Sequence, residues 1–143
     1  MTAPSQQGAS RAQRLGVASG SLVQSINADE DVPTDLLDEL RAVSGEELIS
    51  EDSDEVVDVV LLWWREDDGD LIDALVDARR QLSDDGFLWL LTPKAGREGH
   101  VEPSDILEAV PTAGLVQTGN LNIAQEWNGT KLGAPRGGHR KQR

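Results

Sequence analysis

Three basic side chains able to meet an anion stand together in one stretch, Lys94, Arg97 and His100 within Thr92-Pro-Lys-Ala-Gly-Arg-Glu-Gly-His100. Cationic groups of this kind hold phosphate or carboxylate through charge-assisted hydrogen bonds. The order is not Gly-x-x-x-x-Gly-Lys-Ser/Thr, so it is no Walker A loop. The plainer alternative is that the three cations neutralise the acidic residues around them. Oxygen donors cluster in Glu51-Asp-Ser-Asp-Glu55 and in Glu66-Asp67-Asp68, but neither follows the Asp-x-Asp-x-Asp-Gly order of a calcium loop. They read as solvated loop charge, and no metal ligand is assigned. The chain has two histidines and neither has a Ser or Asp partner at a motif spacing, so a hydrolytic triad has no support. Without cysteine there is no thiolate zinc site and no Cys nucleophile. No catalytic residue is assigned.

Four tryptophans stand out in a chain with no Tyr and one Phe. Trp63 and Trp64 are adjacent, so in a strand they point to opposite faces and both are core only if both faces are covered. Trp127 precedes Asn128-Gly129, a pair that signals a hairpin turn between two extended runs. At such a turn it is either an exposed interface anchor or a ring folded over the sheet edge.

The elements that would carry these residues centre on Asp58-Val-Val-Leu-Leu-Trp-Trp64, a continuous apolar run bounded by charge. Such a run predicts a strand buried on both faces. Asp70 can cap a following helix in which Leu71, Ile72, Leu75, Val76 and Leu82 recur at helical spacing. Ser83-Asp-Asp-Gly86 then reads as a tight turn into a second buried strand, Phe87-Leu-Trp-Leu-Leu91. Strand, helix and strand with short connections predict a parallel crossover unit. Before it, Ser21 to Asn27 predicts a first strand. Pro33 opens a helix with Leu36, Leu37, Leu40 and Val43 inward and Gly45 as its stop. Glu46 to Ser50 reads as a short edge strand, and Arg11 to Gly16 as one or two helical turns. After the basic loop, Pro103 opens a helix with Ile106, Leu107 and Val110 inward and Pro111 near its end. Leu115 to Ile123 and Thr130 to Leu132 predict two antiparallel strands.

Ligands of open parallel sheets bind outside the carboxyl ends of the strands. Here that rim gathers Asn27, Arg65 to Asp68, and Thr92 to His100, which makes Asn27, Lys94, Arg97 and His100 the candidate ligand-binding set.

The length of 143 residues suits one α/β domain over residues 11–135, with a flexible tail at 1–10 and a flexible basic tail at 136–143. The net charge of -13 is uneven: Asp29 to Asp85 holds 21 acidic and 4 basic residues, a belt of -17. Duplex nucleic acid is therefore not expected as a partner, since phosphate contacts need clustered Lys and Arg. No run has the length and apolarity of a membrane span, and the N-terminus lacks the pattern of a signal peptide. A cytoplasmic location is the simplest reading.

The order of Asp58 to Trp64, helix, Asp85-Gly86-Phe87, helix, Ala113-Gly-Leu115 and closing hairpin resembles the second half of the class I S-adenosylmethionine-dependent methyltransferase fold. More narrowly, Arg14-Leu-Gly16, Leu61-Leu-Trp-Trp64, Leu88-Trp-Leu-Leu-Thr-Pro-Lys94 and Glu126-Trp-Asn-Gly-Thr-Lys-Leu132 resemble a small bacterial family, common in actinobacteria, known only as a domain of unknown function. The resemblance implies an abridged, three-layer Rossmann-like domain with a mostly parallel central sheet and a C-terminal antiparallel hairpin. It supplies no reaction and no cofactor. Methyltransferases of that class seat the cofactor against a Gly-rich turn after the first strand, and an acidic residue ending the next strand holds the ribose. Here Ser25-Ile-Asn-Ala-Asp-Glu-Asp31 has no glycine, and Glu51 or Asp52 is the acidic candidate. Methyltransferase activity is not expected. The leading expectation is a non-catalytic regulatory or interaction module, with a basic protein partner meeting Glu66, Asp67, Asp68 and Trp127, and self-association possible in principle. The alternative is a small anionic ligand, such as a nucleotide or phosphorylated metabolite, held by the 92–100 loop.

Overall fold

The structure, a computed structural model, describes residues 10–134. The tails expected at either end lie almost wholly outside the described residues. In chain order the elements are α1 (Arg11–Arg14), β1 (Val23–Ile26), α2 (Thr34–Ser44), β2 (Val57–Trp63), α3 (Leu71–Ala78), β3 (Leu82–Pro93), α4 (Pro103–Thr112), β4 (Val116–Asn122) and β5 (Trp127–Gly133). One five-stranded sheet runs in the order β1-β2-β3-β5-β4. Strand β2 pairs in parallel with β1 and with β3, while β5 pairs antiparallel with both β3 and β4.

Side-chain alternation along β2 explains the three layers. Val59, Leu61 and Trp63 face α1 and α2, where they meet Leu15, Leu36 and Leu40. Val60, Leu62 and Trp64 face α3 and α4, where they meet Leu75, Ile106 and Val110. The adjacent tryptophans thus enter separate cores, and both are buried. Each large apolar side chain buried in this way stabilises the fold by roughly 1.5–3 kcal/mol, which is why the unbroken run at 59–64 dominates the architecture.

Local chemistry sets the helix ends. Asp70 Oδ1 accepts hydrogen bonds from the N–H groups of Ile72 (2.9 Å) and Asp73 (3.3 Å) at the start of α3. Pro33 stands just before α2, not within its first turn, and Gly45 closes that helix with a left-handed φ of 77°. Pro103 occupies the first turn of α4, but Pro111 lies inside its last turn, not beyond it. A proline there has no N–H to give to the Leu107 carbonyl, so that helix bond is missing.

Several expectations need correction. Helix α3 stops at Ala78 and passes through the 3-10 turn Arg79–Gln81, so Leu82 begins β3 instead of ending a helix. Ser83 to Gly86 is not a turn but a bulged part of β3, since Val57 pairs with Leu82 and Val59 already with Phe87. Val76 and Leu107, assigned to inward stripes, are 41% and 61% exposed. Of the 46–50 segment only Ile49 pairs, bridging Gln24 in parallel. The hairpin turn is the tight 123–126 corner, because Asn128 and Gly129 lie within β5. A Cβ on Gly129 would come within 2.9 Å of the Trp89 ring, so that glycine serves packing.

Candidate functional site

Helix α2 follows β1 on one face of the sheet and α3 follows β2 on the other. The crevice between the carboxyl ends of β1 and β2 is therefore the topological switch point, where α/β sheets usually take their ligands. In this protein Arg65 bridges the two loops beside it. Its Nη1 donates to the carbonyl of Asn27 at 2.8 Å, and Nε and Nη2 each reach one oxygen of Asp31, the former at 3.1 Å. Asp68 adds a weaker contact to Nη1 at 3.4 Å. The guanidinium carbon lies 5.2 Å from the centre of the Trp127 ring, a cation–π distance. Burial works against the charge, but the hydrogen bond and field of Asp31, with Asp68 behind it, outweigh that and hold the guanidinium above its ordinary pKa.

The partners are themselves tied down. Asn27 takes a left-handed φ of 66°, a conformation Asn tolerates better than other side chains do. Its amide donates to the Trp63 carbonyl (2.9 Å) and to Asp68 (3.1 Å), and its backbone N–H donates to Glu51 Oε1 (2.8 Å). Asp68 also accepts from the Arg65 backbone N–H at 2.8 Å. The Trp127 indole N–H donates to the Asp31 carbonyl at 3.2 Å, and its ring meets Trp63 edge to face at 5.0 Å. From the other side Gly99 closes over Arg65: its carbonyl accepts from the Glu66 N–H at 2.9 Å, and a Cβ there would lie 3.1 Å from the Arg65 stem.

Trp127 is only 3% exposed, which corrects the exposed-anchor expectation. It sits in β5, where its neighbours leave it no free face. Glu66 and Asp67 are exposed on a short 3-10 turn, while Asp68 turns inward to Arg65 and Asn27. In the 92–100 loop, Arg97 pairs with Glu126 at 3.2 Å and the Lys94 N–H donates to the Glu126 carbonyl at 3.0 Å. His100 Nδ1 lies 2.9 Å from the Pro93 carbonyl, so the proton must sit on Nδ1 for that contact to be a hydrogen bond. No ion pair among the described residues engages Lys94. The structure joins Asn27 to Asp68 and Arg65, and ties the 92–100 loop to the β4–β5 corner. No hydrogen bond or ion pair among the described residues joins Asn27 to Lys94, Arg97 or His100. Nor does any group of three or more His, Asp or Glu side chains among those residues stand ready to hold a metal ion. No helix there is long and apolar enough to cross a membrane.

The candidate set omitted Arg65. Its signal was legible: it is the sole cation between residues 42 and 78, placed directly after a buried strand and before three acids.

The sheet order and crossovers define a methyltransferase-like Rossmann domain. A putative methyltransferase from Thermoplasma acidophilum has a similar structure, with a TM-score of 0.61 and 7% identity over 86% of this chain and 72% of that one. A TehB-like SAM-dependent methyltransferase from Corynebacterium glutamicum gives a TM-score of 0.54 and 13% identity, covering 87% of this chain and 86% of that one. At these identities the likeness is one of fold. The chain belongs to the family described as Protein of unknown function (DUF3052), whose model matches residues 12–136. Uncharacterized proteins of Mycobacterium tuberculosis and Mycobacterium bovis are 46% identical to it over 125 residues, which is 87% of this chain and 78% of each relative.

Proposed function

We propose that this chain is a non-catalytic, cytoplasmic regulatory or protein-interaction module that keeps a methyltransferase-like sheet as its scaffold. The observation that supports this reading is Arg65, which, bonded to Asn27 and Asp31, ties together the loops after β1 and β2 at the carboxyl ends where a ligand of such a sheet would lie. The backbone N–H of Asn27 is likewise taken, by Glu51, one of the two acidic candidates for a ribose. The partner that suits the acid belt is a basic protein, with charge raising the encounter rate. Glu66 and Asp67 project beside the Arg65 network and supply the exposed charge at this end. With Trp127 buried, the contact is electrostatic and lacks that aromatic anchor.

Two measurements on the full chain test the reading. Isothermal titration with S-adenosylmethionine is expected to give no binding heat, and micromolar affinity would overturn it. Affinity capture at low and moderate salt is expected to recover a stoichiometric basic protein whose binding weakens with salt and is lost in Glu66→Lys/Asp67→Lys. Asp68 is left intact because it holds Arg65 and Asn27. Capture that yields no such partner, or one indifferent to both changes, removes the support for an interaction role.

A further inference from the structure

The two edges of the sheet differ in what lies alongside them. Next to β1 runs the segment at Ile49, whose N–H donates to the Val23 carbonyl at 2.8 Å and whose carbonyl accepts from the Ser25 N–H at 3.3 Å. Acidic Glu46, Glu47, Glu51 and Asp52 flank that segment in sequence. Strand β4 forms the other edge, and among the described residues no strand or backbone hydrogen bond occupies its outer side. About half of the N–H and C=O groups of such a strand point outward, ready to pair with another.

Natural edges are blunted by charge, proline or a bulge. In Val116-Gln-Thr-Gly-Asn-Leu-Asn122 there is no charged residue and no proline. One irregularity falls between Gln117 and Gly119, where Thr118 has no residue opposite, so Gly119 to Asn122 form the regular stretch. Across residues 109–134 the sequence holds one acid, Glu126, and one base, Lys131, a net charge of 0 in a chain of -13. Both are engaged: Glu126 pairs with Arg97 at 3.2 Å, and the Lys131 ammonium lies 4.3 Å from the centre of the Phe87 ring. The residues 136–143 that follow in sequence add four cations and no acid.

We propose that β4 is the contact between two copies of this chain, paired antiparallel about a twofold axis at Asn120, so that the two sheets join into one of ten strands. The axis makes the pairing reciprocal: each copy's Leu121 stands opposite the other's Gly119, where the glycine leaves room for it, and outward N–H groups of one strand meet outward carbonyls of the other. Charge favours a second copy at this edge over any other face. The acid belt from Asp29 to Asp85 lies mostly on β1, α2, β2 and α3, away from β4. In the joined sheet the two β2 strands are seven strand spacings apart, about 33 Å, several times the screening length at physiological salt. A contact through β1 would instead bring the belts together. A strand pair alone buries less area than a permanent dimer needs, so the association is weak and depends on concentration. It leaves Glu66 and Asp67, after β2, open to a basic protein and does not rest on that reading.

Sedimentation velocity of the full chain from roughly 10 µM to roughly 500 µM is expected to show a monomer–dimer equilibrium. It should strengthen severalfold as ionic strength rises from roughly 0.02 M to roughly 0.3 M, because salt screens the repulsion between like-charged copies. That sign is opposite to the one expected of a basic-protein contact, so the two stand or fall separately. Hydrogen exchange should slow with rising concentration at amides of residues 119–122 and not at Val23 to Ile26. Asn120→Lys sets two like charges opposite each other at an exposed position and should weaken the dimer about fivefold. Glu30→Gln, also exposed and equal to that variant in net charge, should not weaken it. A chain that stays monomeric over the whole range overturns the proposal. So does a dimer that weakens with salt, that leaves exchange at 119–122 unchanged, or that responds equally to Asn120→Lys and Glu30→Gln.

Discussion

Removing the Arg65 side chain would leave the Asn27 carbonyl and both carboxylates, Asp31 and Asp68, without their cation, and would uncover one face of Trp127. Arg65 is 14% exposed, so its bonds are weakly screened and the groups left behind are only partly rehydrated. Arg65→Ala is expected to lower stability by about 2–4 kcal/mol in urea unfolding. Arg65→Lys should recover less than half of that, because an ammonium cannot span both oxygens of Asp31 while reaching Asn27. Full stability in Arg65→Ala would mean that the network contributes nothing, and full stability in Arg65→Lys that the planar fork does not matter. Arg11 makes a smaller tie of the same kind, bonding Glu39 at 2.6 Å and Asp35 at 2.8 Å across α1 and α2. The Arg11 hydrogen bond holds the Asp35 carboxyl below its ordinary pKa. A depressed folded value means that this contribution is present above the unfolded value, about pH 4, and is lost as pH falls through the folded one. The difference in urea midpoint between neutral and acid solution should therefore shrink in Asp35→Asn, and an unchanged difference would exclude the link. Neither network was legible as such in the sequence, because each gains its value from segments far apart in the chain. What could be read was the oddity of one arginine in an acid run.

At the scale of elements, the sequence was most informative where one face of chemistry repeats without interruption. The buried runs of β2 and β3, the start of the Asp70-capped helix between them and the Leu36 and Leu40 stripe of α2 lie where their patterns place them, and the two strands are parallel neighbours. Asp70→Ala removes the acceptor for two N–H groups at the start of α3 and is expected to cost about 1 kcal/mol, measured by the same unfolding method. A change below a few tenths would show that water caps the helix equally well. The errors arose where a local signal served a distant contact. Asn128-Gly129 looks like a turn, yet its glycine is needed in β5 because Trp89 packs where a side chain would stand. Gly129→Ala should accordingly destabilise by about 1–3 kcal/mol. In a true hairpin turn the same change would act by strain at positive φ, but Gly129 is not among the positive-φ glycines of the described chain. The stripe of α4 was drawn one residue too wide, since Ile106 and Val110 already fill its contact with the sheet and leave Leu107 to solvent.

For the molecule as a whole, the fold and the charge work against each other. The sheet brings α2, α3 and the loops after β1 and β2 together, and these are the segments that carry most of the acid belt, so folding concentrates like charge. The ion pairs that offset it are few. Those at Arg41 and Arg80 are largely exposed, worth about 0–1 kcal/mol each, while Arg65 and Arg11 lie in partly buried settings that salt screens less. A net charge of -13 should then make repulsion the larger of the two salt-sensitive effects. Raising ionic strength from roughly 0.02 M to roughly 0.3 M shortens the screening length to within the spacing of neighbouring surface groups. Over that range the melting temperature, followed by calorimetry in potassium chloride, is expected to rise by several degrees. Most of the rise should come at the low end, where screening changes fastest, which separates it from the steady effect of salts that act by exclusion at high concentration. Glu66→Gln/Asp67→Gln, with both residues exposed and neither tied to Arg65 by its side chain, should raise the low-salt melting temperature and flatten its dependence on salt. A melting temperature that falls over this range would mean that attraction outweighs repulsion, and the acid belt would then have to be read as a matched surface instead of an uncompensated one.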